Sequence, residues 1–374
     1  MHFALTPEQR ELVSTVRALV ERRVGSVDLR TAYGSEPGYD AELWQVLCEQ
    51  IGVAALAVPE EYGGAGFSSL ETHLVLEELG ASLTPSPLLG SGVLATQALL
   101  LSGPEALAGP AGELLPELTA GSVAALCWAD AGGRWRTDGS DLTATPEEGR
   151  WRLRGTATLV LGASHADVLL AVARTPSGVG LFQLPAGAAG VEVRRTPGLD
   201  LTLSLADVTL DALAAPLVES GFEAVLPRLR ALAATAVTAL QVGGAQRALD
   251  LTVAYLKERV QFGRPLGSFQ ALKHRCADLV VAVESARSIS WAAGWSAAYD
   301  SDTLEHRAAL AKSWCGDAFA AVAGEMIQLH GGIAITWEHD AHLYFKRAHA
   351  TGQLFGRGAE HRRGLSPAGD HRAE

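Results

Sequence analysis

Residues 259–278 constrain this chain more than any other stretch. Apolar residues at helical spacing run into it from Leu229 and leave it through Leu272, Leu279 and Val280. Between the two patterns lie Gly263, Pro265 and Gly267, which a helix interior does not tolerate. The sequence therefore predicts two long helices joined by an obligatory turn. That turn carries Arg259, Phe262 and Gln270 at short spacing. Arginine forks onto paired phosphate oxygens. Phenylalanine covers a flat ring, and glutamine donates and accepts at once. Together they suit a dinucleotide with a pyrophosphate and flat rings.

The rest of the chain frames this turn. Its 374 residues suffice for two or three domains with a large core. A net charge of −12 argues against nucleic acid as a partner, because phosphate backbones need a clustered positive surface. It leaves room for one anionic cofactor beside a local arginine. Cys48, Cys127, Cys276 and Cys315 form no close pair and no metal spacing, so they read as reduced thiols of a cytoplasmic protein, with no metal site. No apolar run is long enough to suggest a membrane span, and no signal peptide precedes the helical start.

Thr6-Pro7-Glu8-Gln9 reads as an N-cap, a first-turn proline and an acidic first turn. Leu12, Val13, Val16, Leu19 and Val20 continue that helix, and Leu43, Val46 and Leu47 mark a second. A glycine-rich loop spans 59–66 and a third helix 70–79. Pro85 and Pro87 break the chain, and Ala/Leu-rich helix follows over 93–118, interrupted at Gly103-Pro104 and Gly109-Pro110. These assign a helical domain to residues 1–120. Short apolar or alternating runs at 123–128, 151–155, 168–173, 179–184, 191–193 and 206–210 assign a small β domain to 121–216. The helical period then returns over 217–365, and 366–374 reads as a frayed tail. The expected class is mixed α and β, mostly α.

Three blocks carry a family resemblance. Arg259-Val260-Gln261-Phe262-Gly263, followed by Phe269-Gln270, resembles the R-x-Q-F-G…F-Q segment of the acyl-CoA dehydrogenase family of flavoproteins. Pro59-Glu60-Glu61-Tyr62-Gly63-Gly64-Ala65-Gly66 resembles its PEEYGG-x-G stretch, followed by Leu76-Glu77-Glu78-Leu79-Gly80. Gln328-Leu329-His330-Gly331-Gly332 resembles its Q-x-x-G-G stretch, with the next family glycine replaced by Ala334. The blocks come in family order and cover nearly the whole chain. The resemblance implies helical, β and helical domains and an oligomer, dimer or tetramer, with FAD at the subunit interface. It also implies an acyl-CoA substrate, a role in lipid metabolism, and electron-transfer flavoprotein or a similar acceptor. Arg259, Phe262, Gln270, Gln328, Gly331 and Gly332 match the residues that reach across to a neighbour's FAD.

The same resemblance exposes losses. In the family, a glutamate removes the α proton and the β hydride passes to the flavin. One family position for that glutamate falls on Phe355, counted from Ala348 and Gly356. The other, an E-R pair on the long helix, falls on Ala233-Ala234. Glu219, Glu223 and Glu360 are the nearby carboxylates, and each also reads as part of a solvated helix face. The family's T-E-P-G-A-G-S loop corresponds to Ala129-Asp130-Ala131-Gly132-Gly133, which reads as shortened. Its W-I-T strand corresponds to Leu159-Val160-Leu161, which has neither an indole to stack nor a hydroxyl to offer. The chain keeps what it would lend to a neighbour and loses what it would use itself.

Residues 331–344 resemble a bacterial subgroup in which some members pair a base-bearing with a base-lacking subunit. Substrates there include bulky ring-bearing thioesters such as steroid side-chain degradation intermediates. The sequence thus points to a base-lacking subunit of a heteromeric enzyme. Two rivals stand beside it: a self-sufficient, homomeric dehydrogenase with a relocated carboxylate, and a non-redox protein of the same fold that binds or scaffolds.

Overall fold

The structure, a computed structural model, describes residues 4–23 and 25–365, so the expected tail lies outside the described residues. The N-terminal third holds α1 (Pro7–Arg23), α2 (Ser26–Gly34), α3 (Ala41–Val46), α4 (Ser69–Ala81), α5 (Thr96–Leu100), α6 (Pro104–Leu107) and α7 (Pro110–Thr119). Thr6 caps α1 as its sequence suggests. Its Oγ1 accepts from Gln9 N at 3.2 Å, and Gln9 Oε1 accepts from Thr6 N at 3.0 Å. Ser68 and Glu71 cap α4 in the same reciprocal way. Helix α2 has no clear apolar period in its sequence, and a π-helical turn, Leu88–Ala95, precedes α5.

The middle holds β1 (Ala124–Cys127), β2 (Thr143–Glu147), β3 (Arg150–Leu161), β4 (Val168–Thr175), β5 (Gly178–Pro185), β6 (Val191–Arg195) and β7 (Leu205–Val218). Pairing runs β4–β2–β3–β7–β5 and back to β4, so the sheet closes on itself, with β1 beside β4 and β6 beside β7. Leu142, Leu153, Leu169, Phe182, Val208 and Leu210 fill its interior. The long pair is β3 with β7, from Trp151 opposite Ala214 to Leu161 opposite Leu205. Strand β7 continues past the expected end at Pro216, which sits opposite Phe182.

The C-terminal half is built on α8 (Leu226–Glu258), followed by a miniature hairpin, β8 (Val260–Gln261) and β9 (Arg264–Pro265), then α9 (Gln270–Tyr299), α10 (Ser301–His330), α11 (Ala341–Gln353) and α12 (Gly358–Leu365). At 33 residues α8 is about 50 Å long. It packs against α4, α9, α10 and α11. Its crossing with α4 is close enough to require glycine. A Cβ on Gly243 would lie 1.8 Å from the Glu77 carbonyl, and one on Gly80 would lie 2.5 Å from that of Leu240.

By length and composition the segment Ser301–Ile335 could cross a membrane, an exception to the sequence expectation. Here Phe319, Val322, Ala323 and Met326 of that segment lie in the bundle core. A fully buried ion pair joins this bundle to the β6–β7 connection: Arg347 Nε donates to Asp200 Oδ2 at 2.7 Å, and its guanidinium also reaches the Leu83 and Thr202 carbonyls.

Candidate functional site

The six residues expected to reach a neighbour's cofactor gather at one end of the helical bundle. Arg259 ends α8, Gln270 begins α9, and Gln328, Gly331 and Gly332 end α10. Two contacts tie these ends together. Tyr255 stacks on His330 with ring centroids 4.4 Å apart, and Arg275 bonds Glu325 between α9 and α10. All six are exposed, Phe262 by 88%. Phe262 and Gly263 form the two-residue tip of the β8–β9 hairpin with φ of 54° and 75°. Positive φ at both tip residues matches the strand twist, and a phenylalanine there is unusual because its Cβ disfavours that region. The ring is thereby held out into solvent. Phe269 steadies the base of the hairpin, with Phe262 edge-on at 6.1 Å and the Arg264 guanidinium over its face at 4.0 Å.

This end offers the right chemistry for a diphosphate and a flat ring. The first amides of α9 lack a side-chain cap and lie at the positive end of a 30-residue helix, which follows the hairpin that Arg259 precedes. Ile335 and Trp337, 78% and 75% exposed, extend the apolar surface along the following turn. Isolated monomers rarely present such large rings to water together. Ala334 instead points inward and is fully buried in the bundle core.

The chain's own pocket is different. Leu159 lies on a bulge in β3, where pairing with β7 slips between Ala157 and Val160, and its φ is 50°. Its side chain packs toward Gly133. The loop after β1 is short only in its glycine-rich part, since it continues through Trp135 to Leu142 before β2. Asp130, 1% exposed, is consumed by that loop: Oδ1 accepts from Gly132 N at 2.9 Å and Arg134 N at 3.0 Å, and Oδ2 accepts from Arg134 Nε at 3.0 Å. Trp135 turns inward and meets Phe355, ring centroids 4.8 Å apart. Sequence reasoning missed Trp135, because a lone tryptophan in a polar loop carries no periodic signal. The residues of this half do not fit a flavin ring: Leu159 and Leu161 offer it neither a stacking indole nor a hydroxyl, and Phe355 packs on Trp135 instead of presenting a carboxylate.

Neither family base position can take a proton. Phe355 is 1% exposed with φ of 56°, and Ala233 is 1% exposed in the core. The turn bearing Phe355 is pinned from two sides. Lys312 Nζ donates to the Thr351 and Gly352 carbonyls at 3.2 and 3.1 Å, and the His361 ring donates to the Phe355 carbonyl at 3.0 Å. Burial pulls the Lys312 ammonium down to about 8.

The remaining carboxylates are not simple helix-face residues. Glu219 is exposed in the connection after β7. Glu223 sits in a 3-10 turn, where its Oε2 accepts from Val179 N at 3.0 Å. Glu360 borders a groove of about 350 Å³ between α8, α10 and α12, which Phe355 also lines. All four cysteines are free, and burial pushes the Cys48, Cys127 and Cys315 thiols up to about 12, which leaves them unreactive. Among the described residues no cluster could hold a metal ion.

Comparison with known proteins agrees with this architecture. Residues 6–122 match the acyl-CoA dehydrogenase N-terminal domain and residues 219–365 the acyl-CoA dehydrogenase C-terminal domain. The chain is 43% identical to acyl-CoA dehydrogenase IpdE2 of Mycolicibacterium smegmatis, over 93% of this chain and 95% of that protein. Among solved structures it resembles the Tcur3481–Tcur3483 steroid ACAD, at 33% identity and a TM-score of 0.86, covering 96% of both chains. It also resembles the ChsE4–ChsE5 complex of Mycobacterium tuberculosis, at 29% identity and a TM-score of 0.86, covering 98% of both. The chain belongs to the acyl-CoA dehydrogenase family, FAD-dependent oxidoreductases built with this fold.

Proposed function

We propose that this chain is the base-lacking subunit of a cytoplasmic heteromeric acyl-CoA dehydrogenase. It lends the exposed end of its helical bundle to an FAD held mainly by a different, base-bearing subunit. Arg259 and the first amides of α9 would receive the pyrophosphate, Phe262 would cover a ring, and Gln270, Gln328, Gly331 and Gly332 would line the rest of the contact. The partner would supply the flavin-ring contacts and the α-proton base, and electron-transfer flavoprotein or a similar carrier would take the electrons. The observation that carries this reading is the pair of proton-free base positions, Phe355 packed on Trp135 and Ala233 buried in the core. Similarity to the Tcur3481–Tcur3483 steroid ACAD and to the ChsE4–ChsE5 complex supports the heteromer, and the first of them also supports a bulky ring-bearing acyl group.

One observation favours a second reading, the self-sufficient enzyme: Glu360 shares a groove with Phe355. The two are separated by converting Glu219, Glu223 and Glu360 singly to Gln in a reconstituted active complex. All three variants are expected to turn over near the parent rate, while removing a glutamate of the partner abolishes turnover. A loss of several orders of magnitude in one of the three, with flavin still bound, would move the base into this chain.

A further inference from the structure

We propose that Trp135 and Phe355 are a built-in occupant. They fill, with the chain's own aromatic rings, the space that a flat flavin ring and an acyl group would share, so the pocket is closed from within as well as stripped of contacts. This deepens the base-lacking reading and rests on it.

The loop bearing Trp135 is polar on both sides. Arg134 is exposed, and Arg136 pairs with Asp138 at 2.7 Å at the surface. Yet Trp135 itself is only 6% exposed. Its inward course is fixed by bonds at both flanks. Asp130 closes the turn before it, and the Trp128 indole donates to the Arg136 carbonyl at 2.8 Å just after it. The Trp135 and Phe355 planes meet at 56°, a tilted arrangement that aromatic pairs favour.

Both residues lie in one hydrophobic cluster, with Leu161 in it and Leu159 packed against it. Leu159 and Phe355 stand where the family pattern places its stacking indole and one of its bases, and both hold the left-handed backbone that bulky side chains avoid. The backbone conformation is strained at both positions, and the side chains on it only pack. Restoring a single lost group, as in Leu159→Trp or Phe355→Glu, would therefore meet a filled space.

The test is an occupancy measurement on the FAD-saturated complex with its partner, using Trp135→Gly and the conservative Trp135→Phe. Trp135→Gly is expected to lower Tm by several degrees and to bind free indole saturably, one per chain, with most of the Tm recovered. Riboflavin should compete with that indole. The parent and Trp135→Phe should take up neither ligand. If Trp135→Gly folds only when refolded with indole, the same occupancy is read as rescued yield. Three results would overturn the proposal: a variant that neither binds indole nor is rescued by it, a parent that binds riboflavin as well as Trp135→Gly does, or indole binding that riboflavin leaves untouched. Turnover plays no part in this readout, so it fails or holds separately from the glutamate variants that test the division of labour.

Discussion

Two regions of this molecule face opposite ways. At one end of the bundle, Arg259, Phe262, Gln270 and the Gly331-Gly332 turn are exposed, held on a hairpin with a strained tip, and complementary to a diphosphate and a ring. Between the β domain and the helices, Trp135 meets Phe355, and Leu159 packs on the same hydrophobic cluster. A chain under selection only to fold would bury the first region. A chain that used its own flavin would open the second. Strain is kept in both, at Phe262, Leu159 and Phe355, but only Phe262 still presents its side chain outward. The difference teaches that a half-site can be retained for a neighbour while the other half is absorbed into the core.

The closed region should be the one that fails when its supports are removed. Arg347→Leu would leave Asp200 buried and unpaired, which costs about 3–5 kcal/mol by the usual penalty for breaking a buried pair. Urea unfolding of the chain checks this, and a loss below about 1 kcal/mol would mean that the junction between bundle and β domain is not held there.

Acid should act on the interior as well. His73 is fully enclosed, its Nε2 3.0 Å from Ser290 Oγ, and burial lowers its pKa to about 4. Its unfolded form binds a proton near 6.5, so the unfolded state carries more protons between about pH 4 and 6.5. Stability from this residue is therefore complete above pH 6.5 and lost as pH falls toward 4, on the order of 3 kcal/mol in all. Comparing unfolding of the parent and His73→Gln at pH 5 and pH 7 isolates that slope, and equal slopes would remove His73 as its source.

The lending region should behave in the reverse sense, with stability indifferent and cofactor sensitive. Arg259→Ala should leave the chain's own unfolding free energy unchanged, since the residue is exposed. It should weaken FAD in the complex by about 1.5–3 kcal/mol, tenfold or more. Flavin content after exhaustive dialysis reads the effect, and full retention would take Arg259 out of the contact.

The smallest effect is expected at the hairpin tip. Phe262→Asn gives an Asn-Gly turn that prefers the observed backbone, so stability should stay within about 0.5 kcal/mol of the parent or rise. Flavin occupancy should nevertheless fall. A variant that loses stability while keeping flavin would reverse the assigned roles.

Much of this contrast was legible in the sequence, and the reasons are local. The cap at Thr6, the glycine and proline punctuation at 263–267, and the apolar runs of β1, β4 and β5 each declare themselves within a few residues. The exposed half-site was legible for the same reason, because its residues lie in three short segments. The closure of the other half was not. Trp135 and Phe355 meet only through the tertiary fold, and nothing around either residue in sequence announces the other. Strand β2 was missed because Thr143-Ala144-Thr145-Pro146-Glu147 has no apolar alternation and is held by pairing with β3. Glu223 was read as a helix-face residue because a one-turn 3-10 segment bonded to β5 leaves no periodic trace.

The most direct test is a count of flavin per chain. The protein is purified alone and in complex with its base-bearing partner, and FAD is measured by absorbance after gel filtration. The account predicts a chain that elutes essentially without flavin on its own, and one FAD for each pair of unlike chains in the complex. Stoichiometric flavin retained by this chain alone, or two FAD for each pair, would contradict it.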